Sequence, residues 1–120
     1  QVEVVRRDTL QKMNFSFDTL DLEVEKLLGE IQQNLFERSL QFRKENIRKA
    51  DSWDEFINIL DNKGGFVLAH WDGTAETEQL IKENSKATIR CIPIDNQHED
   101  GKCILTGKPS IQRVLFARAY

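Results

Sequence analysis

The sequence predicts an α/β (α+β) two-layer sandwich: a mixed four-stranded sheet with a long helix and shorter helices packed on one face. Two observations carry that prediction. Apolar, partly valine-rich runs at residues 2–7, 66–71, 87–94 and 110–119 read as strands, and the segments between them show helical periodicity. The resulting order is strand, long helix, short helix, strand, helix, strand, strand, without internal repeats or low-complexity tracts.

Each element has its own signal. Residues 2–7 alternate loosely around Val2, Val4 and Val5. A short linker follows, in which Asn14, Ser16 and Asp18 supply helix-start chemistry. Leu20, Val24, Leu27, Leu28, Ile31 and Leu35 then form an amphipathic stripe, which continues less regularly through Leu40, Phe42 and Ile47. Gly29 costs that helix about 1 kcal/mol. Ser52-Trp53-Asp54-Glu55 has capping-box spacing and starts a short helix that turns Trp53, Phe56, Ile57 and Leu60 inward. Gly64-Gly65 stops it. Residues 66–71 read as a mostly buried strand, and Asp72-Gly73-Thr74 turns the chain into a helix bearing Ala75, Leu80 and Ile81. Residues 96–102 are a polar loop or hairpin connection before the last strand. The whole reads as a single domain: an opening strand within residues 1–9, a helical part over 18–62 and an α/β part over 63–120.

Composition narrows the function. A chain of 120 residues suffices for one ordinary domain, and 39% apolar with 31% charged residues is a normal globular balance. No run approaches the ~20 apolar residues of a membrane span. The chain begins with Gln1 and enters a strand at once, as a piece cut from a longer polypeptide would. A net charge of −3 argues against sequence-independent nucleic-acid binding. Positive charge is nevertheless concentrated locally. Residues 38–49 hold Arg38, Arg43, Lys44, Arg48 and Lys49 against Glu45 alone, and from Lys102 onward Lys108, Arg113 and Arg118 face no acid. Arg43, Lys44 and Arg48 are therefore candidate RNA or phosphate contacts, although solvated faces explain such patches more often. Two separated cysteines make no disulfide framework; Cys91, inside an apolar run, reads as a buried thiol, and a reducing, cytoplasmic setting fits.

No autonomous catalytic constellation is present. His70 and His98 lie in different elements without a serine or cysteine at motif spacing, and there is no phosphate-cradling glycine loop or HExxH. His70 reads as a packed, hydrogen-bonded histidine, and His98 as solvated beside Glu99 and Asp100. Cys103 has no second cysteine nearby with which to begin a zinc site.

Several segments nonetheless resemble one family. Gly65-Phe66-Val67-Leu68-Ala69-His70-Trp71-Asp72-Gly73 is similar to a family segment in which an apolar strand runs into Cys-Gly. Ala87-Thr88-Ile89-Arg90-Cys91-Ile92-Pro93 resembles its A-T-x-R-C-x-P strand. Gly101-Lys102-Cys103, Gly107-Lys108-Pro109 and Val114-Leu115-Phe116-Ala117-Arg118-Ala119-Tyr120 resemble its ending, while Val2 to Thr9 and Ile31 to Glu37 resemble its exit strand and long helix. The family is the C-terminal domain of class II prolyl-tRNA synthetases of the archaeal/eukaryotic-like type.

The resemblance implies an accessory domain of a proline–tRNA ligase. Its parent would activate proline with ATP and magnesium, charge tRNA-Pro and form a homodimer. The catalytic and anticodon-binding domains would lie upstream in the same polypeptide, and this piece would be inactive alone. Family zinc ligands fall on Asp72, Thr77, Cys103 and Thr106. Only Cys103 is retained, so the resemblance implies a zinc-free member whose turns are held by packing and by hydrogen bonds of Asp72 and Thr74. It also implies that the Tyr120 carboxylate faces the active site of the parent. The alternative from another class is a free-standing protein- or RNA-binding module using the basic patches.

Overall fold

The computed structural model describes residues 1–119, which form two compact units, the first over residues 1–44 and the second from Glu45 onward. In the first unit, strands β1 (Val2–Val5) and β2 (Lys12–Phe15) make an antiparallel hairpin that pairs Val2 with Phe15. The turn closes through Arg6 N–H to Gln11 O (2.9 Å) and Leu10 N–H to Arg6 O (2.8 Å), with Leu10 in the left-handed region at φ 61°. Ser16 caps a 3-10 turn (Phe17–Thr19) that leads into helix α1 (Leu20–Glu45). Acidic Asp21 and Glu23 in its first turn and basic Arg43 and Lys44 in its last complement the helix dipole. Leu27 and Ile31 are its buried positions. Arg6 donates from Nη2 and Nε to Asp8 (2.8 and 3.0 Å) and from Nη1 to Glu30 (3.2 Å), and Asn34 Nδ2 reaches Asp8 at 2.7 Å. The hairpin turn is thus tied to the middle of α1.

The second unit is built on a mixed four-stranded sheet in the order β3–β4–β8–β5, from β3 (Ile47–Lys49), β4 (Phe66–His70), β5 (Ala87–Cys91) and β8 (Arg113–Arg118). Strand β4 runs parallel to β3 and antiparallel to β8, which is also antiparallel to β5. Helix α2 (Trp53–Asn62) connects β3 to β4, and helix α3 (Ala75–Ser85) connects β4 to β5. Both crossovers step the same way across the sheet, and right-handed connections then place both helices on one face. The core agrees: Phe56, Ile59 and Leu60 of α2 and Ile81 of α3 pack with Val67, Ala69, Val114 and Phe116. Phe56 meets Phe116 edge-on at 5.3 Å. A small antiparallel pair, β6 (Gly101–Lys102) and β7 (Pro109–Ser110), sits outside the main sheet.

The predicted mixed four-stranded sheet and α+β class are found, with one exchange of strands. Residues 2–5 pair only with β2, and the fourth strand is β3, which the stripe of α1 had absorbed. The helix stops at Glu45 because the next residues pair with β4: Phe66 N–H donates to Asn46 O at 2.8 Å, and Ile47 to Lys49 register with Phe66 to Leu68. Gly65 is required at this junction, since a Cβ there would stand 2.6 Å from Asn46 O and its φ is +77°. Cys91 is exposed rather than buried. It lies at the end of an edge strand, past a register shift between Ile89 and Cys91.

Candidate functional site

The turn between β4 and α3 carries a dense polar cluster. Thr74 caps α3, its hydroxyl accepting from Thr77 N–H at 3.3 Å. Asp72, two residues earlier, accepts from Thr74 N–H (3.1 Å) and Thr74 Oγ1 (2.8 Å) on Oδ1, and from Thr77 Oγ1 (2.8 Å) and Thr106 Oγ1 (3.0 Å) on Oδ2. Thr106 comes from the loop joining β6 to β7, so one carboxylate links two chain segments. Burial works to raise the Asp72 carboxyl, and the hydrogen bonds from Thr77, Thr74 and Thr106 outweigh it, leaving its pKa below the ordinary value. Trp71 Nε1–H closes the turn on Thr74 O at 3.1 Å. Cys103, buried, begins a tight loop in which its N–H meets Lys108 O (2.7 Å) and its carbonyl accepts from Gly107 N–H (3.0 Å).

The four positions singled out from the resemblance thus fall on two adjoining turns, and three of them, Asp72, Thr77 and Thr106, are directly hydrogen-bonded. Thr77 and Thr106 direct their hydroxyl protons at Asp72. Among the described residues there is no group of three or more His, Cys, Asp or Glu side chains able to hold a metal ion.

A second network was not legible in the sequence. His70, on β4, contacts Ser110 Oγ through Nδ1 at 2.9 Å, and Ser110 Oγ lies 2.9 Å from Gln112 O. The single Ser110 hydroxyl proton has two acceptors in reach, Gln112 O and His70 Nδ1, and the direction of the His70 contact follows the imidazole tautomer. The other ring nitrogen lies 3.6 Å from Glu99 Oε2. Glu99 accepts from Arg113 Nε at 2.7 Å, while Arg113 also pairs with Asp51 and donates from Nη1 to Ala50 O (3.0 Å) and Leu68 O (3.4 Å). Hydrogen bonding to Arg113 holds both the Asp51 and the Glu99 carboxyls below their ordinary pKa values. Gly101 lies against the imidazole, where a Cβ would come within 2.4 Å of Nε2. These groups hold together β3, β4, β8 and the loop after β5, which is a structural task. His98 is exposed and bonds Asp100 at 2.7 Å.

The basic candidates are placed separately. Arg43 and Lys44 are exposed in the last turn of α1. Arg48 is half-buried in β3 and donates to Gly64 O at 3.4 Å. Tyr120 lies outside the described residues. No helix among the described residues is long and apolar enough to cross a membrane.

Comparison with known proteins supplies what this geometry alone does not. Residues 53–120 match the family model described as "Prolyl-tRNA synthetase, C-terminal". The chain is 55% identical over 122 residues to a proline–tRNA ligase of Phocaeicola vulgatus, covering 99% of this chain and 24% of that protein. It is 54% identical over 119 residues to the proline–tRNA ligase of Cytophaga hutchinsonii and 53% identical over 119 to that of Porphyromonas gingivalis, with the same coverage. The chain therefore spans about a quarter of the length of the curated relatives it matches.

Proposed function

This chain belongs to the C-terminal family of the prolyl-tRNA synthetases, and from that membership we propose that it is the accessory C-terminal domain of a proline–tRNA ligase. The observation that carries the reading is the similarity itself, which extends over 99% of the chain while covering 24% of each of these ligases. The parent activates proline with ATP and magnesium and charges tRNA-Pro, working in the cytoplasm as a homodimer. Its catalytic and anticodon-binding domains are the partners of this segment in the same polypeptide. The segment itself is structural and inactive alone.

The domain works without zinc. A structural zinc site takes about four sulfur, nitrogen or carboxylate ligands, and here the corresponding positions offer one thiol, one carboxylate and two hydroxyls. The hydroxyl protons are already directed at the carboxylate. Asp72 with its threonines thus supplies, by hydrogen bonding, the link between the two turns. The role of Tyr120 is to order the active site of the parent through its carboxylate. Arg43, Lys44 and Arg48 are the residues through which the domain would touch RNA phosphates.

The test is proline-dependent ATP–pyrophosphate exchange by the full-length protein, compared with a version lacking Ala119 and Tyr120. Exchange in the parent that is mostly lost on truncation supports both the ligase reading and an ordering role for the C-terminus. Equal activity of the two confines the domain to a structural role. No proline-dependent exchange in either sinks the ligase reading and favours a binding module.

A further inference from the structure

A cleft of about 770 Å³ opens at the end of the second unit where α2 finishes, β4 begins and β8 ends, beside Arg90 of β5. Its apolar walls come from Leu60, Phe66 and Ala117, and Gly64 and Gly65 put no side chain into it. Three cations line it: Lys63, Arg90 and Arg118. Arg118 is committed, donating to Asp61 at 2.6 Å and to Ser85 O at 2.7 Å. Lys63 is exposed and has no side-chain partner among the described residues, and Arg90, also exposed, makes only a 3.5 Å contact to Ala117 O. Asp61, the acid beside the cleft, is already neutralised by Arg118. Among the described residues, Lys63 and Arg90 thus bring two positive charges without an acidic partner to one concave, half-apolar site, on a chain whose net charge is −3. Phe66, 38% exposed, offers an aromatic surface on the same wall.

We propose that this cleft binds a small organic anion, a carboxylate or phosphate held by Lys63 and Arg90 with its apolar body against Phe66. The volume lies within the range of small-molecule sites, and the combination of apolar walls with a few polar groups is the composition such sites have. Two charged donors recognise either anion, because both present oxygens that accept charge-assisted hydrogen bonds.

The test uses the full-length protein with 4-fluorophenylalanine at position 66, so that the ¹⁹F signal reports this cleft alone. Phenyl phosphate and benzoate are titrated separately, with benzamide as the uncharged counterpart. The expected result is a saturable shift with at least one anion, weakened about tenfold or more in Lys63→Gln/Arg90→Gln and little or none with benzamide. Tighter binding of phenyl phosphate assigns the site to phosphate-bearing ligands, and tighter binding of benzoate to carboxylates. The proposal is overturned if neither anion gives a saturable shift, if the double variant binds as well as the parent, or if benzamide matches the tighter-binding anion. The benzamide comparison is made with Lys63 and Arg90 intact and stands even where the double variant folds poorly.

Discussion

Replacing Asp72 by alanine tests whether one carboxylate holds the two turns together. The substitution removes the acceptor of four hydrogen bonds. Their costs differ. Thr106 is exposed and Thr74 half-buried, so their hydroxyls can turn to water. Thr77 is 3% exposed, and its proton must exchange the carboxylate for a neutral acceptor, Thr74 Oγ1, 2.9 Å away. That exchange costs about 1–2 kcal/mol, and losing charge-assisted bonds to Thr74 and Thr106 adds about 1–2 kcal/mol. The total is about 2–4 kcal/mol. With a denaturant slope of about 1.5 kcal/mol/M, the urea midpoint should fall by about 2 M. Trp71, bonded into the same turn through Thr74 O, is the fluorophore to follow. Asp72→Asn keeps one acceptor oxygen and should lose about half as much. An alanine variant within about 0.5 kcal/mol of the parent would show that the cluster is a solvated ornament and refute the reasoning.

Three further outcomes follow from the same geometry. Adding zinc or a chelator to the unsubstituted chain should leave the urea midpoint unchanged; a zinc-dependent rise would overturn the zinc-free reading. Gly101→Ala forces a methyl group against the His70 ring and should cost about 1–3 kcal/mol, read by thermal unfolding, while Gly107→Ala, whose Cβ meets nothing, should cost no more than its positive φ imposes. Asp51, Glu99 and Asp8 all have depressed folded-state pKa values, caused first by hydrogen bonding to Arg113, Arg113 and Arg6 respectively. Their contribution is therefore fully present above the ordinary carboxylate range and is lost as pH falls below about 4. Unfolding midpoints should drop there, and Arg113→Gln should flatten the drop; an unchanged profile would remove Arg113 from the account.

Legibility in the sequence followed length and local chemistry. Helix α2 was readable because its cap, apolar face and glycine stop lie within one short segment: Ser52 Oγ does accept from Glu55 N–H at 3.2 Å, although Glu55 reaches back to Asp51 N–H rather than to Ser52. Strand β3 was not readable. Ile47-Arg48-Lys49 has no alternation to show, and what makes it a strand is parallel pairing with Phe66 to Leu68, a tertiary demand that overrides helical periodicity. Strand β2 was hidden likewise, since a hairpin whose turn puts Leu10 at positive φ lacks the usual Asn-Gly or Asp-Gly signal. Asp72, Thr77 and Thr106 came into view through family resemblance alone, as nothing in the spacing of a lone carboxylate and two threonines marks a site. The network around Arg113 escaped altogether, because its partners at positions 50, 51, 68 and 99 are drawn from three separate stretches of chain.

The position of β8 has a consequence for how the molecule is made. It is the last strand in the sequence, yet it lies between β4 and β5, which touch each other only through it. Until residues 113–118 emerge from the ribosome, two apolar strands have unmatched edges, and the carbonyls of Ala50 and Leu68 await the guanidinium of Arg113. Assembly of the second unit therefore waits for the strand made last among its four, and is dominated by long loop closures. A nascent chain whose residues 113–118 have not yet emerged would present an aggregation-prone half-sheet.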